Sequence, residues 1–204
     1  MTIWRLHTLL LAALLVAAGL KPAAAATGED PDWPCIQRLV PEIAPAVIWP
    51  GPPIDAVDGA AADPLIDQLA GELAARRVPL EEAEAEVEEF ASSVADDHKD
   101  EQLTRLFART LEIINSDRSS IIQGIKKYAR GQRALADRIN ARNEQLIALA
   151  ADQVLERDAL RAERDWDLRV YEDRRSALGY LCDQPVLLEQ RAFALARAIA
   201  GHLE

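Results

Sequence analysis

Proline placement sets the strongest limit on how this chain can fold. Beyond Pro22, eight prolines fall between Pro31 and Pro64, another stands at Pro79, and none occurs again until Pro185. Proline fixes its own φ, removes a backbone donor and pushes the preceding residue out of the helical region. Residues 27–62 are therefore expected to be extended or looped, whereas residues 80–184 meet no such barrier and can carry long helices. The expected fold class is all-α: an elongated helical bundle or long antiparallel helical hairpin, preceded by a Pro/Trp-rich extended segment.

The lead segment is not a plain solvated linker. Trp33, Val40, Ile43, Val47, Ile48, Trp49 and Ile54 give it more apolar surface than a disordered tail carries. It is expected to pack on the helices of its own chain, fastened at Cys35. The alternative is that Trp33, Trp49 and Pro50 are partner-docking residues, since Trp beside Pro recurs in recognition segments.

Helix signals begin at Asp63-Pro64, an N-cap followed by proline at the first helical position. Leu65, Ile66, Leu69 and Leu73 then recur at helical spacing, up to Arg76-Arg77. Pro79 opens a second helix whose first turns are loaded with glutamate, in keeping with the helix dipole. Asp96-Asp97 suits the cap of a third, with Leu103, Leu106, Phe107, Leu111, Ile113 and Ile114 as its apolar stripe. Asn115-Ser116-Asp117 reads as a break, and the pattern is helical again from Arg118 to about Leu178. If Gln132–Leu178 is unbroken it spans about 70 Å at 1.5 Å per residue. A 3-4 line through Ile125, Ala129, Gln132, Ala136 and Ile139 runs into Gln153 and Arg157, which makes a poor coiled-coil seam. Gly179 reads as a C-cap, and Asp183 with Pro185 as the start of a last helix to Ile199.

The first 26 residues have the layout of a secretory signal: Arg5, an apolar run from Leu9 to Leu20, then Ala24-Ala25-Ala26. The run is shorter than the roughly 20 residues a spanning helix needs. Cleavage between Ala26 and Thr27 is expected, leaving a periplasmic protein with no membrane span. The domains are then residues 1–26, signal; 27–62, extended segment; and 63–204, helical domain. In an oxidising compartment the two cysteines, Cys35 and Cys182, are expected to pair. The bridge closes a long loop, for which chain entropy gives about 5 kcal/mol.

Charge narrows the partners. The chain has a formal net charge of −11; loss of residues 1–26 removes Arg5 and Lys21 and takes it to −13. Nucleic acid and anionic lipid are therefore poor direct partners. The imbalance lies in residues 27–100, with four Lys/Arg against eighteen Asp/Glu. The acidic run Glu81–Glu89 and the basic stretch Arg118–Arg142 are natural opposites, either as two solvated faces or side by side.

No chemistry-bearing constellation emerges. There is no C-x-x-C, no Gly-rich phosphate loop and no G-x-S-x-G. His98 stands among Asp96, Asp97 and Asp100, a pattern better suited to a solvated helix start than to a metal site. The expectation is a non-enzymatic protein with no cofactor, acting as a structural or adaptor component that binds another envelope protein. The alternative is a periplasmic small-ligand or metal-binding helical module. The sequence assigns no oligomeric state.

Overall fold

A computed structural model describes residues 30–57 and 61–204, and among them every regular element is a helix. The signal expected over residues 1–26, with its cleavage site at Ala26 and Thr27, lies outside the described residues. The elements are α1 (Pro45–Ile48), α2 (Pro64–Ala74), α3 (Leu80–Ser93), α4 (Lys99–Ala148) and α5 (Val154–Ala200). Short 3-10 turns at Ile54–Ala56 and Asp96–His98 join them. No helix among the described residues is long and apolar enough to cross a membrane.

Two long helices dominate. α4 has 50 residues and α5 has 47, so each is about 70 Å long. They pack antiparallel, and cross-links mark the register down their length. Lys99 Nζ meets Glu204 at 3.3 Å, Arg118 Nε donates to Pro185 O at 3.2 Å, and Tyr128 Oη donates to Arg174 O at 2.8 Å. Nearer the turn, Gln132 Nε2 donates to Tyr171 O at 3.2 Å and Arg138 reaches Asp167.

α2 starts as its sequence dictates: Asp63 Oδ1 accepts from Leu65 N at 3.0 Å and Ile66 N at 3.4 Å, with Pro64 at the first helical position. It packs on α4, and α3 packs on α5 and α2. The two are joined by a turn that Arg191 of α5 closes, its Nε on Leu73 O at 2.6 Å and its Nη1 on Val78 O at 2.9 Å. One contiguous core fills this end. It runs from Leu73 of α2 and Val87 of α3 through Leu103, Leu106 and Ile114 of α4 to Leu188, Leu195 and Ile199 of α5.

The expected breaks fall in the wrong places. α4 continues through Asn115-Ser116-Asp117 because the Asn115 amide does not compete for its own helix backbone. It turns to the lead segment, accepting from Ile43 N at 2.9 Å and donating to Ile43 O at 3.1 Å. α5 continues through Gly179 and keeps Pro185 inside it. Proline in a helix interior disrupts the hydrogen bonding of the turn before it. Here the lead segment and α4 supply polar partners at that turn: Gln37 Nε2 donates to Cys182 O and Arg118 to Pro185 O.

Conversely, the helical run from Arg118 to Leu178 is interrupted at residues 149–153, a stretch rich in alanine. The turn is held by Arg157 Nη1, which caps Leu146 O at 3.1 Å and Leu149 O at 2.7 Å, and by Gln153 Oε1, which accepts from Ala150 N at 2.9 Å.

Candidate functional site: the strap junction and the distal hairpin

The lead segment forms a strap along the groove between α4 and α5. At one end Asp30 pairs with Lys126 at 2.8 Å, and Asp32 pairs with Arg130 at 2.6 Å and with Arg133. Lys126 and the Asp32 amide hold the Asp30 carboxyl below its ordinary pKa; Arg130 and Arg133 do the same for Asp32. Cys35 then bridges Cys182, with Cα atoms 5.6 Å apart. Arg118, buried between strap and helices, donates to Val40 O and Pro185 O and lies 3.5 Å from Glu189. Its burial lowers its pKa, a shift Glu189 opposes.

The three residues proposed for docking have different fates. Trp49 is buried and stacks on Phe107, with ring centroids 4.1 Å apart and planes 6° from parallel. Its Nε1 donates to Pro52 O at 2.8 Å, so ring and donor are both committed within the chain. Gly51 beside it has no room for a side chain: an added Cβ would lie 2.5 Å from the Trp49 ring and 2.6 Å from Leu203. Trp33 is half-buried, its Nε1 donating to Gln37 O at 2.8 Å. Pro50 is exposed.

His98 sits 3.6 Å from Asp97 at the surface, while Asp96 pairs with Lys99 and Asp100 accepts from Glu204 N. Among the described residues no group of three His, Cys, Asp or Glu side chains is placed to hold a metal ion.

The acidic and basic segments do not meet. Arg118–Arg142 answers instead to the strap carboxylates Asp30 and Asp32 and to Glu189, Asp167 and Glu163 on α5. The α3 glutamates make no ion pair within 4 Å among the described residues. Glu86 is the most constrained of them. Burial, then the neighbouring Glu72 and Glu82, push its carboxyl above the ordinary value, against the pull of Arg191.

Past the strap the two long helices continue alone. Leu135, Ile139 and Leu146 are buried on the α4 side; on α5 between Val154 and Leu181 the one buried residue is Asp167. It is clasped by Arg138, through Nε at 2.7 Å and Nη2 at 2.6 Å, and by Arg142. Arg142 also reaches Glu163 at 3.1 Å. At the tip Ile147 is 85% exposed, and Val154 and Leu155 are exposed beside it. Trp166 stands on the outer side of α5, with the Arg169 guanidinium 5.5 Å from its ring centre.

Sequence reasoning assigns no role to Trp166, Asp167 or Arg157. Trp166 was legible as an isolated large ring in a charged run. Asp167 and Arg157 look like any other member of that run until their helix partners are known. No protein-family model matches the chain, and no curated protein or solved structure is significantly similar to it.

Proposed function

We propose that the protein is a non-enzymatic structural or adaptor component of the bacterial-type cell envelope, exported to the periplasm, whose interacting element is the distal half of the α4–α5 hairpin. The observation that carries this reading is a well-braced projection with apolar side chains on its outside. Ile147, Val154, Leu155 and Trp166 are exposed on helices held by the Asp167 clasp and the Arg157 cap. A stable frame that leaves large apolar groups in water is characteristic of a surface covered by a partner.

The docking role belongs to this hairpin rather than to the strap, because Trp49 is spent on the core and Trp33 on the strap junction. Export is supported by the Arg5, Leu9–Leu20 and Ala24–Ala26 pattern and by the Cys35–Cys182 bridge, which suits an oxidising compartment. The test places a photo-crosslinking amino acid at Ile147, Leu155 or Trp166 in the exported chain in cells. Discrete crosslinked protein bands at these positions, and none at exposed Glu88 of α3, are expected. Equal labelling at all four positions, or none, defeats the reading.

A further inference from the structure

Residues 30–42 of the strap are held to the helices chiefly by one covalent bond. None of them is fully buried, whereas the chain that follows is seated in the core by Ile43, Ile48 and Trp49. The ion pairs of Asp30 and Asp32 with Lys126, Arg130 and Arg133 lie at or near the surface, where such pairs add little. The Trp33 donor is turned to the strap's own Gln37 O. The Cys35–Cys182 bridge therefore decides whether this length of strap stays on α5.

It covers a stretch of α5 whose sequence opposes a continuous helix. Pro185 lies buried inside α5 and offers no N–H to Leu181 O in the turn before it. Gly179, a little earlier on the same helix, weakens helical order, and packing does not ask for it: a Cβ added there meets nothing within 4 Å. Between them, exposed Asp183 stands where it would cap a helix restarting at Gln184-Pro185, its carboxylate taking the Val186 N–H. The strap and Arg118 of α4 support the unbroken form instead. Gln37 Nε2 donates to Cys182 O, and Arg118 links Val40 O on the strap to Pro185 O on α5. Trp33, Gln37 and Val40 close over Pro185 around a cavity of about 50 Å³. By sequence α5 is two helices and by packing it is one, and part of that packing depends on Cys35.

We propose that the bridge is a redox latch on α5. Closed, it keeps the helix continuous through Pro185; opened by a dithiol, it turns residues 179–185 into a hinge that uncouples the arm from the base. The inference does not depend on what the hairpin binds. A thiolate of the dithiol attacks Sγ of Cys35, the more exposed half of the bridge, and the Cys182 thiolate leaves and takes a proton. The second thiol of the reductant then attacks the mixed disulfide. Cys35 is released as a thiol and the reductant departs as a disulfide, so two electrons and two protons pass to the protein. Residues 30–42 lift off, the Gln37 and Val40 contacts go with them, and Asp183 takes up the cap of the helix beyond. The arm keeps its clasp at Asp167 and the bonds from Tyr128 and Gln132, but loses the support of the base relayed along α5.

Hydrogen exchange read by mass spectrometry tests this on the full exported chain, with and without excess dithiothreitol and without denaturant. On reduction, amides of residues 179–187 are expected to exchange about tenfold faster or more. Those of α5 in the arm should follow by a smaller factor, and those around Leu106 and Leu195 should stay closest to their oxidised rates. Gly179→Ala/Pro185→Ala, which removes the hinge signals and leaves the bridge, is expected to lose this selective acceleration while still yielding two thiols on reduction.

A bridge that resists dithiothreitol in the folded protein overturns the latch. Unchanged exchange at residues 179–187, equal acceleration in base and hinge, or loss of helical circular dichroism throughout overturns it as well, the last by making the bridge a staple of the whole fold. A Gly179→Ala/Pro185→Ala response identical to wild type removes the hinge.

Discussion

The base and the distal half of the hairpin are made from the same two helices by different means. In the base, α2 and α3 cover the α4–α5 pair from one side and the strap from the other, so Leu103, Leu106, Leu188 and Ile199 lose all or nearly all contact with water. In the distal half only one seam exists, and a two-helix pair cannot surround its side chains. The central position on α5 is taken by Asp167, whose partners Arg138 and Arg142 remain in part at the surface. Hydrophobic burial stabilises in proportion to area, whereas a charge clasp mainly specifies geometry, because desolvation offsets much of its attraction. The molecule thus has a stable anchor and a precisely aligned, less stable arm.

Opening the Cys35–Cys182 bridge is the harshest way to break this contrast, since it releases the strap at the border between the two regions. Cys35→Ser/Cys182→Ser is expected to lower the stability of the base by about 3–5 kcal/mol in denaturant titrations. A change below about 1 kcal/mol would mean that the strap holds without its covalent fastening.

Leu188→Ala empties a fully buried site and should cost about 3 kcal/mol of global stability, read as a lower denaturation midpoint. Asp167→Ala sharpens the comparison. It leaves Arg138 and Arg142 without their shared carboxylate and should cost about 1–2 kcal/mol, a range reduced for their partial exposure. Hydrogen exchange should accelerate over residues 134–170 while the amides around Leu106 and Leu195 keep their protection. Uniform acceleration would show that the arm and base unfold as one.

The smallest effect is a pH response confined to the base. Burial holds the Glu86 carboxyl above the ordinary glutamate range, and its Oε2 is buried without a hydrogen-bond partner among the described residues. The folded state therefore favours the protonated form. That contribution is complete below the unfolded pKa and is lost as pH rises through the folded one. Glu86→Gln should melt at a higher temperature than wild type at pH 7, with the difference closing below about pH 4.5. An equal gain at both pH values would assign the effect to something other than ionisation.

Much of the architecture is written locally. The proline distribution separates strap from helices, Asp63-Pro64 starts α2, and the two cysteines form the bridge expected of them. What resisted reading was decided between distant segments. Asn115 looks like a helix breaker unless Ile43 is known to receive its amide. Pro185 looks like a helix start unless Arg118 and Gln37 are seen bonding the carbonyls around it. The turn at residues 149–153 lies among alanines, the best helix formers, and is set by the return of α5 onto α4 rather than by propensity.

The bridge at Cys182 also decides how the molecule transmits force. A pull applied between the chain upstream of Cys35 and the C-terminal end of α5 bypasses α2, α3, all of α4 and α5 up to Cys182, and enters α5 directly through a covalent bond. The loop of 147 residues it closes bears no load. Tension arrives at the proline-containing turn, close to the border between anchor and arm. Such a pull would therefore run through the C-terminal part of α5, in the packed base, and leave the distal hairpin slack.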